Sequence, residues 1–245
     1  MNRDERKGVW ERAWLIILGI LVILAGCQEE QTDPEKMYYS YFPDTVGQFV
    51  LYAVDSVVYD DFTGQVLHFE YEVKELIKSR FTDGEGKESL RLERYIRSDG
   101  ESDWEIKDIW QARVLPDRAE KTEENITYIK LVFPPKAGSR WNGNAYNTLP
   151  EQGYRVTEAH KPYLISPSLS FDSTVTVLQN DITTLISEEF QEEKYAKNVG
   201  LVFKRYKKLE KEPDGSIVRG VDYSYQIKAF GQDSGLKQRL WAKPE

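Results

Sequence analysis

Two histidines, His68 and His160, are the side chains in this sequence that ordinarily act as bases near neutral pH. A serine triad would need one of them beside an acid, with the serine on a strained turn such as Gly-x-Ser-x-Gly. The sequence contains no such pentapeptide. His68 falls on the polar face of a predicted strand, and His160 precedes Lys161-Pro162 in a predicted loop. We therefore expect no catalytic residue and do not predict an enzyme.

Metal ligands are equally sparse. Zinc needs three or four His, Cys or carboxylate ligands at defined spacings, which two isolated histidines cannot supply. Residues 99–103 (Asp-Gly-Glu-Ser-Asp) place acidic side chains in a turn, and Ca²⁺ takes oxygen ligands. The segment lacks the glutamate at position 12 of an EF-hand loop, so an ordinary acidic turn is the better interpretation. We predict no metal and no cofactor.

The richest candidate binding segment is residues 141–147, Trp-Asn-Gly-Asn-Ala-Tyr-Asn, here called the Trp141 loop. Aromatic rings stack on sugar rings, and amides hydrogen-bond to hydroxyl groups. The candidate ligand residues are Trp141, Asn142, Asn144 and Tyr146. Aromatic residues are also ordinary members of a β core, and in that case Trp141 plugs one end of the sheet while Asn and Gly form turns. Trp104 and Trp110 could likewise form a sugar platform or line an apolar cavity.

The one cysteine, Cys27, ends the sequence Leu-Ala-Gly-Cys. This order resembles the bacterial lipobox, where small residues let a peptidase approach the backbone and the thiol takes a diacylglyceryl group. A basic start and an uncharged apolar run over residues 15–24 precede it, as in an export signal. The run is shorter than the about 20 residues that cross a bilayer, which disfavours a signal anchor. We predict a signal peptide over residues 1–26 and lipidation at Cys27.

The charge balance after the signal is acidic. Residues 27–245 carry 29 Lys and Arg against 38 Asp and Glu. This balance argues against nucleic acid, whose binding depends on a basic surface, and against attachment to anionic lipid by charge. Because Cys27 is the only cysteine, the mature chain has no disulfide and no thiol chemistry. Residues 27–37 are polar and acidic and predict a flexible tether, followed by a single globular domain over residues 38–245.

Hydrophobic alternation with a period of two dominates the predicted domain. Residues 66–73 alternate cleanly, and residues 126–133 are rich in β-branched and aromatic side chains. Pro213-Asp214-Gly215 predicts the turn of a hairpin between residues 201–209 and 217–230. This spacing of strands predicts a mainly β fold, either an antiparallel sandwich or a curled, partly closed barrel with little helix.

Two segments depart from this pattern. Residues 183–197 are the best helix candidate, because Leu185, Ile186, Phe190, Lys194 and Tyr195 lie loosely at helical spacing. Residues 138–150 are rich in Gly and Asn and are predicted to form a loop.

Three short segments resemble signatures of an uncharacterised family of secreted lipoproteins from Bacteroidota. Residues 41–52 resemble its Tyr-x-Pro…Gly…Trp-x-Tyr opening, with Phe49 where the family usually has Trp. Residues 134–143 and 195–202 are similar to later signatures, with Asn198 where Gly is expected. The resemblance covers most of residues 38–230 and implies a lineage and an envelope location, with no assigned activity to transfer.

The resemblance also implies that the acidic pair Glu29-Glu30 acts in export to the cell surface, and Gln28 is not the aspartate associated with inner-membrane retention. We predict a lipid-anchored outer-membrane lipoprotein, on the periplasmic face or the cell surface, with a non-catalytic β domain. Its expected partners are the membrane, through Cys27, and an envelope protein or an apolar or glycan ligand. A curled sheet could hold an apolar ligand, and a solidly packed interior would exclude this. The alternative is a carbohydrate-binding or carbohydrate-active surface lipoprotein that uses the Trp141 loop.

Overall fold

The structure is a computed structural model that describes residues 34–233. The predicted signal peptide, Cys27 and most of the predicted tether lie outside these residues. A one-turn helix, α1 (Pro34–Met37), occupies the last four positions of the predicted tether, and a 3₁₀ turn (Tyr39–Tyr41) follows it. Within the described range, neither α1 nor any other helix has the length and apolar character needed to cross a bilayer.

Twelve antiparallel strands follow these short helices. They are β1 (Gln48–Tyr59), β2 (Val66–Thr82), β3 (Glu88–Arg97), β4 (Glu105–Val114), β5 (Arg118–Glu123), β6 (Ile126–Val132), β7 (Arg140–Asn142), β8 (Gly153–Ser166), β9 (Leu169–Thr183), β10 (Ser187–Ala196), β11 (Gly200–Lys211) and β12 (Ile217–Gln232). They form one sheet in the order β6-β5-β4-β3-β2-β1-β12-β11-β10-β9-β8-β7. The first and last strands therefore pair at the centre of the sheet, and its two edges, β6 and β7, are consecutive in the chain.

The two edge strands meet at a seam. The backbone N–H of Ile129 on β6 donates to the carbonyl of Gly143, just after β7, at 2.9 Å. The indole Nε1 of Trp141 donates to the carbonyl of Ile129, and Asn147 Nδ2 donates to the carbonyl of Thr127, both at 2.9 Å. These bonds satisfy edge groups of β6 that would otherwise be unpaired. The sheet is therefore curled and nearly closed into a barrel, which confirms the predicted mainly β class.

Three clusters of buried side chains form the core. One surrounds the 3₁₀ turn and includes Tyr41, Leu131 and Val177. The second lies around Tyr52 and Ile227, and the third joins the inward residues of β3 to their neighbours on β2 and β4. The compact unit that begins at Pro34 contains all twelve strands and these clusters. It has its own core, as a domain that folds independently does.

Several local predictions can be compared with this fold. The segment 126–133 forms β6, and the predicted hairpin is β11–β12, with Gly215 at φ 91° in its turn. The helix prediction over residues 183–197 is wrong. Leu185 and Ile186 lie in the exposed turn after β9, and residues 187–196 form β10, which pairs with strands on both sides. The apparent helical spacing combined two turn residues, Leu185 and Ile186, with residues of β10.

Two loop predictions need correction. The segment 138–150 contains the short strand β7, because its backbone pairs with β8. His160 was expected in a loop and lies within β8, at one of the irregularities in its pairing with β9. Its φ of 57° is the left-handed backbone conformation that often accompanies such a bulge.

Candidate binding cavity

The interior of the curled sheet is not packed solid. It holds a cavity of about 510 Å³, which is within the range of about 300–1,000 Å³ typical of small-molecule sites. Because side chains alternate between the two faces of a strand, Leu90, Leu92 and Arg94 on β3 all point inward. Ile77 and Glu75 follow the same order on β2. The cavity thus changes from apolar to charged along the strands.

The apolar end lies beside the N-terminal segment. Phe42 and Pro43, immediately after the 3₁₀ turn, contribute to its lining. The other apolar lining residues of this end are Val50, Ile77, Leu90, Leu92, Ala112, Val199 and Leu201. Their side chains offer hydrocarbon contacts and no hydrogen-bonding group. This end can therefore take the apolar part of a ligand.

A ring of charged side chains, here called the charged belt, crosses the middle of the cavity. It consists of Glu75, Arg94, Asp108, Lys121, Glu123, Lys130, Glu193 and Lys204. Seven of these line the cavity, and Asp108 pairs with Arg94. Four members are cations and four are carboxylates.

Glu193 is the centre of one half of the belt. Its Oε1 lies 3.1 Å from Lys130 Nζ, and its Oε2 accepts hydrogen bonds from Gln179 at 2.7 Å and Tyr195 at 2.6 Å. Lys130 Nζ also lies 3.0 Å from Glu123 Oε1. Lys204 is held more loosely, since its Nζ is 3.7 Å from Glu193 Oε1.

The two carboxylates and the two lysines of this half of the belt are charged at neutral pH. Burial alone would raise the pKa of Glu123 and Glu193, but the charges of Lys130 and Lys204 outweigh it and hold both pKa values below the usual range. Burial would lower the pKa of Lys130 and Lys204, and the neighbouring carboxylates instead raise both pKa values. This half of the belt is therefore two cations with two carboxylates, of which Lys130 and Glu193 are almost fully buried and Glu123 and Lys204 are partly buried.

Arg94 is the centre of the other half. Its Nη1 lies 2.6 Å from Asp108 Oδ2, its Nη2 donates to the Tyr225 hydroxyl at 3.2 Å, and its guanidinium lies 3.8 Å from the centre of the Trp110 ring. Glu75 bridges to Lys121, whose Nζ is 2.7 Å from Glu75 Oε1. The Arg94 Nε lies 3.5 Å from Glu75 Oε2 and makes no hydrogen bond within the described residues.

Beyond the belt, tyrosines line the far end of the cavity. Tyr223 stacks on Tyr206 with ring centroids 5.0 Å apart and meets Tyr225 edge to face. Burial raises the pKa of Tyr223, and burial together with the proximity of Tyr225 raises the pKa of Tyr71. Their hydroxyls therefore stay protonated and can donate hydrogen bonds. Lys107 and Glu124 also line the cavity, and both are exposed to solvent.

The charged belt is unfavourable for the stability of the fold. Removing charges from water carries a desolvation penalty, and well-packed hydrophobic residues are often at least as stable as a buried ion pair. The belt also lines open space rather than filling it. Perturbed ionisable groups in a cavity are typical of functional sites. This combination makes the cavity the candidate site of the molecule.

The Trp141 loop lies at the seam. The Trp141 indole meets the Tyr154 ring edge to face, with centroids 5.9 Å apart. Asn142 Oδ1 accepts from the backbone of Asn144 and Gln152, and Asn144 Nδ2 donates to the Pro150 carbonyl. Tyr146 differs, because 56% of its surface is exposed, with Arg118 over its ring at 4.5 Å.

The other sequence candidates are spread over the molecule. Trp110 lines the cavity, which is one of the two roles considered for it, and Trp104 packs under Arg97. His68 is exposed on β2, as expected, while His160 contacts the Tyr41 hydroxyl through Nδ1 at 2.8 Å. Asp99 caps its own turn by accepting from the backbone of residues 101 and 102. Across residues 34–233, no three His, Cys, Asp or Glu side chains are grouped to hold a metal ion.

Sequence reasoning missed the charged belt. The available signal was a charged residue on an otherwise apolar strand face. Arg94 continues the face of Leu90 and Leu92, and Lys130 interrupts the most hydrophobic strand, between Ile129 and Leu131. Such a residue must find a partner when buried, so it indicates an interior polar site.

The fold and the cavity define a single-sheet, nearly closed β domain with an interior the size of a small-molecule site. No family model matches the chain, and no curated protein matches it. Among solved structures, the chain is similar to a "putative lipoprotein" from Parabacteroides distasonis, with 12% identity, a TM-score of 0.37, and coverage of 78% of this chain and 98% of that one. It is also similar to a DUF1329 family protein from Desulfovibrio piger, with 12% identity, a TM-score of 0.23, and coverage of 84% and 95%.

Proposed function

We propose that this chain is an outer-membrane lipoprotein, anchored by a lipid on Cys27, whose β domain is a non-catalytic binding module for an amphipathic small molecule. The observation that carries the proposal is the cavity of about 510 Å³ with an apolar end and a charged belt. Hydrocarbon would lie against Leu90 and Leu92, and a polar group would reach the belt and the tyrosines. The anchor itself is supported by the lipobox in the sequence.

A blocked cavity tests the binding proposal. Ala112 is 2% exposed and lines the cavity from β4, so Ala112→Trp places a large ring inside it. Ile109 lies on the outer face of the same strand and is 53% exposed, so Ile109→Trp is the matched control. The chain from Gln28 to Glu245, purified without detergent, is extracted with organic solvent and its bound molecules are identified by mass spectrometry.

The expected result is a bound amphipathic molecule in the unsubstituted domain and in Ile109→Trp, and its loss from Ala112→Trp with the thermal transition retained. The proposal is contradicted if no molecule is bound to the domain, either as purified from its expression host or after incubation with a lipid extract. Purification of the native lipoprotein from outer membranes, with identification of co-purifying proteins, separately tests for an envelope partner.

The anchor has its own test. Cys27→Ser removes the thiol that would take the lipid, and we expect the exported variant to leave the membrane fraction. Fractionation followed by immunoblotting measures this. Membrane partitioning of the exported variant would refute lipidation, while the cavity proposal would stand unaffected.

Glycan binding at the Trp141 loop is the second candidate. The exposed ring of Tyr146 beside Arg118 is the feature that favours it. Tyr146→Ala should then reduce retention on a glycan column without a change in thermal stability. Unchanged retention, or no retention by the unsubstituted domain, excludes this candidate.

A further inference from the structure

The signs of the charges around the cavity restrict what can bind there. The charged belt contains four cations and four carboxylates, as defined above. Lys107 and Glu124 line the cavity as well and add one charge of each sign. Every cation of the belt lies within 4 Å of a belt carboxylate: Arg94 contacts Asp108, Lys121 contacts Glu75, and both Lys130 and Lys204 contact Glu193. The cavity is therefore polar, and its charges balance once Asp108, which pairs with Arg94 behind the lining, is counted.

A ligand with a net charge would disturb this balance. An anionic group beside Lys204 would also lie near Glu193, which already shares its Oε1 with Lys130. A cationic group beside Glu123 would meet Lys130 at 3.0 Å from the same carboxylate. Either ligand leaves one uncompensated charge among buried groups, and such a charge is strongly unfavourable.

A neutral polar group avoids this cost and still finds partners. The Lys204 ammonium is 3.7 Å from its nearest carboxylate oxygen, which is beyond hydrogen-bond distance, so its donors can reach a carbonyl or hydroxyl oxygen. Tyr223 and Tyr225 line the same part of the cavity, since Tyr225 pairs with Lys204 across β11 and β12 and the Tyr223 ring centre lies 5.9 Å from Lys204 Nζ. We propose that the ligand is an electrically neutral amphipathic molecule, whose uncharged oxygen-bearing group hydrogen-bonds to Lys204 and the adjacent tyrosines. This inference rests on the proposed cavity-binding function.

Two dyes that differ by one charged group test the inference. N-phenyl-1-naphthylamine is neutral, and 8-anilinonaphthalene-1-sulfonate has the same ring system with an added sulfonate. Binding of each to the chain from Gln28 to Glu245 is measured at pH 7 by fluorescence titration, with Ala112→Trp and Ile109→Trp used to assign the signal to the cavity. We expect the neutral dye to bind in the cavity about tenfold or more tightly than the anionic dye.

The outcomes separate this inference from the function on which it rests. Equal or tighter cavity binding of the sulfonate overturns the inference and leaves cavity binding intact. If neither dye gives a fluorescence signal that is lost in Ala112→Trp, cavity binding itself is contradicted.

A change in the belt's charge provides the second test. Glu123→Gln gives the cavity a net charge of +1, and Glu75→Gln does the same from the other half of the belt in case the first variant does not fold. In either variant the sulfonate should bind about tenfold more tightly while the affinity for the neutral dye changes little. Glu188 pairs with Lys207 outside the cavity, so Glu188→Gln is the matched control and should leave both affinities unchanged. Unchanged sulfonate affinity in both belt variants, with neutral-dye binding retained, overturns the inference.

Discussion

Lys130 on the edge strand β6 forms a 3.1 Å ion pair with Glu193 on β10. The two strands are widely separated in the order of the sheet, so the pair exists because the sheet curls and brings them face to face. Both side chains are almost fully buried, at 4% and 2% exposure. The same contact therefore contributes to closure of the sheet and to the polar lining of the cavity.

Removal of the carboxylate in this pair should destabilise the domain. Glu193→Gln leaves Lys130 with one of its two anionic partners and weakens the acceptors of Tyr195 and Gln179. We expect a loss of about 3–5 kcal/mol in the free energy of unfolding, the usual cost of breaking a buried ion pair. Urea denaturation followed by circular dichroism measures it. Glu188→Gln, in a partly exposed pair on the same strand, should cost far less, and equal losses in the two variants would contradict the role given to Glu193.

Stability should fall on acidification and at strongly alkaline pH. Burial opposes the charged forms of Glu123 and Glu193, but nearby lysines dominate and lower both pKa values in the folded state. Their contribution is present above the unfolded-state pKa of about 4.3 and is lost as the pH falls through the folded-state values. For Lys130 and Lys204, raised folded-state pKa values give a contribution that is complete below about pH 10.4 and is lost at higher pH.

Urea midpoints measured from pH 3 to 11 test this dependence. We expect a plateau from about pH 5 to 10, with a fall on both sides. Glu123→Gln should lower the urea midpoint on the plateau and reduce its fall at acidic pH, because the variant lacks one of the two carboxylates with a lowered pKa. An acid limb of unchanged depth in this variant would show that other carboxylates account for it.

The sequence predicted the β fold because alternation reports which face of a strand is buried. Residues 126–133 and the Pro213-Asp214-Gly215 turn are local signals, and the structure contains both elements. The helix prediction over residues 183–197 was wrong because strand pairing, which is not a local signal, determines the structure of this segment. Leu185 and Ile186, two apolar residues in an exposed turn, contributed to the apparent helical spacing. The residues that follow form β10 because they pair with β9 and β11.

The cavity could not be read from the sequence in the same way. Arg94 and Lys130 are recognisable as charges on apolar strand faces, and each has one carboxylate partner on an adjacent strand, Asp108 and Glu123, but their remaining partners are distant in the chain. Glu193 is 63 positions from Lys130, and Tyr225 is 131 positions from Arg94. These long-range pairs depend on how far the sheet curls and on where its edges meet, and neither can be deduced from the alternation along one strand. When the partners of a buried charge are unknown, the charge indicates that an interior polar site exists but does not indicate its shape.

Trp141 should contribute to stability through its seam hydrogen bond. Trp141→Phe keeps an aromatic ring against Tyr154 and removes the indole N–H that binds the Ile129 carbonyl. We expect a loss of about 1–3 kcal/mol, because an acceptor at the seam is left unpaired. Thermal and urea unfolding measure it, and Tyr146→Ala, at an exposed position of the same loop, should have little effect. If Trp141→Phe is as stable as the unsubstituted domain but loses glycan retention, the indole is a ligand contact instead.

Substitution of Gly143 should destabilise the seam, because its carbonyl accepts from Ile129 and a Cβ at this position would lie 2.4 Å from the Tyr154 ring. Tyr154 is 3% exposed and packs against Trp141, so its ring cannot move without disturbing the core. Gly143→Ala should therefore cost about 1–3 kcal/mol, as overpacking usually does. Gly153 pairs with the neighbouring Asn142 and has nothing within 4 Å of an added Cβ, so Gly153→Ala should be neutral or slightly stabilising. Urea midpoints of the two variants compare the same chemical change at the two ends of the connection between β7 and β8. Equal midpoints would mean that the seam tolerates a wider separation than its 2.9 Å bonds indicate.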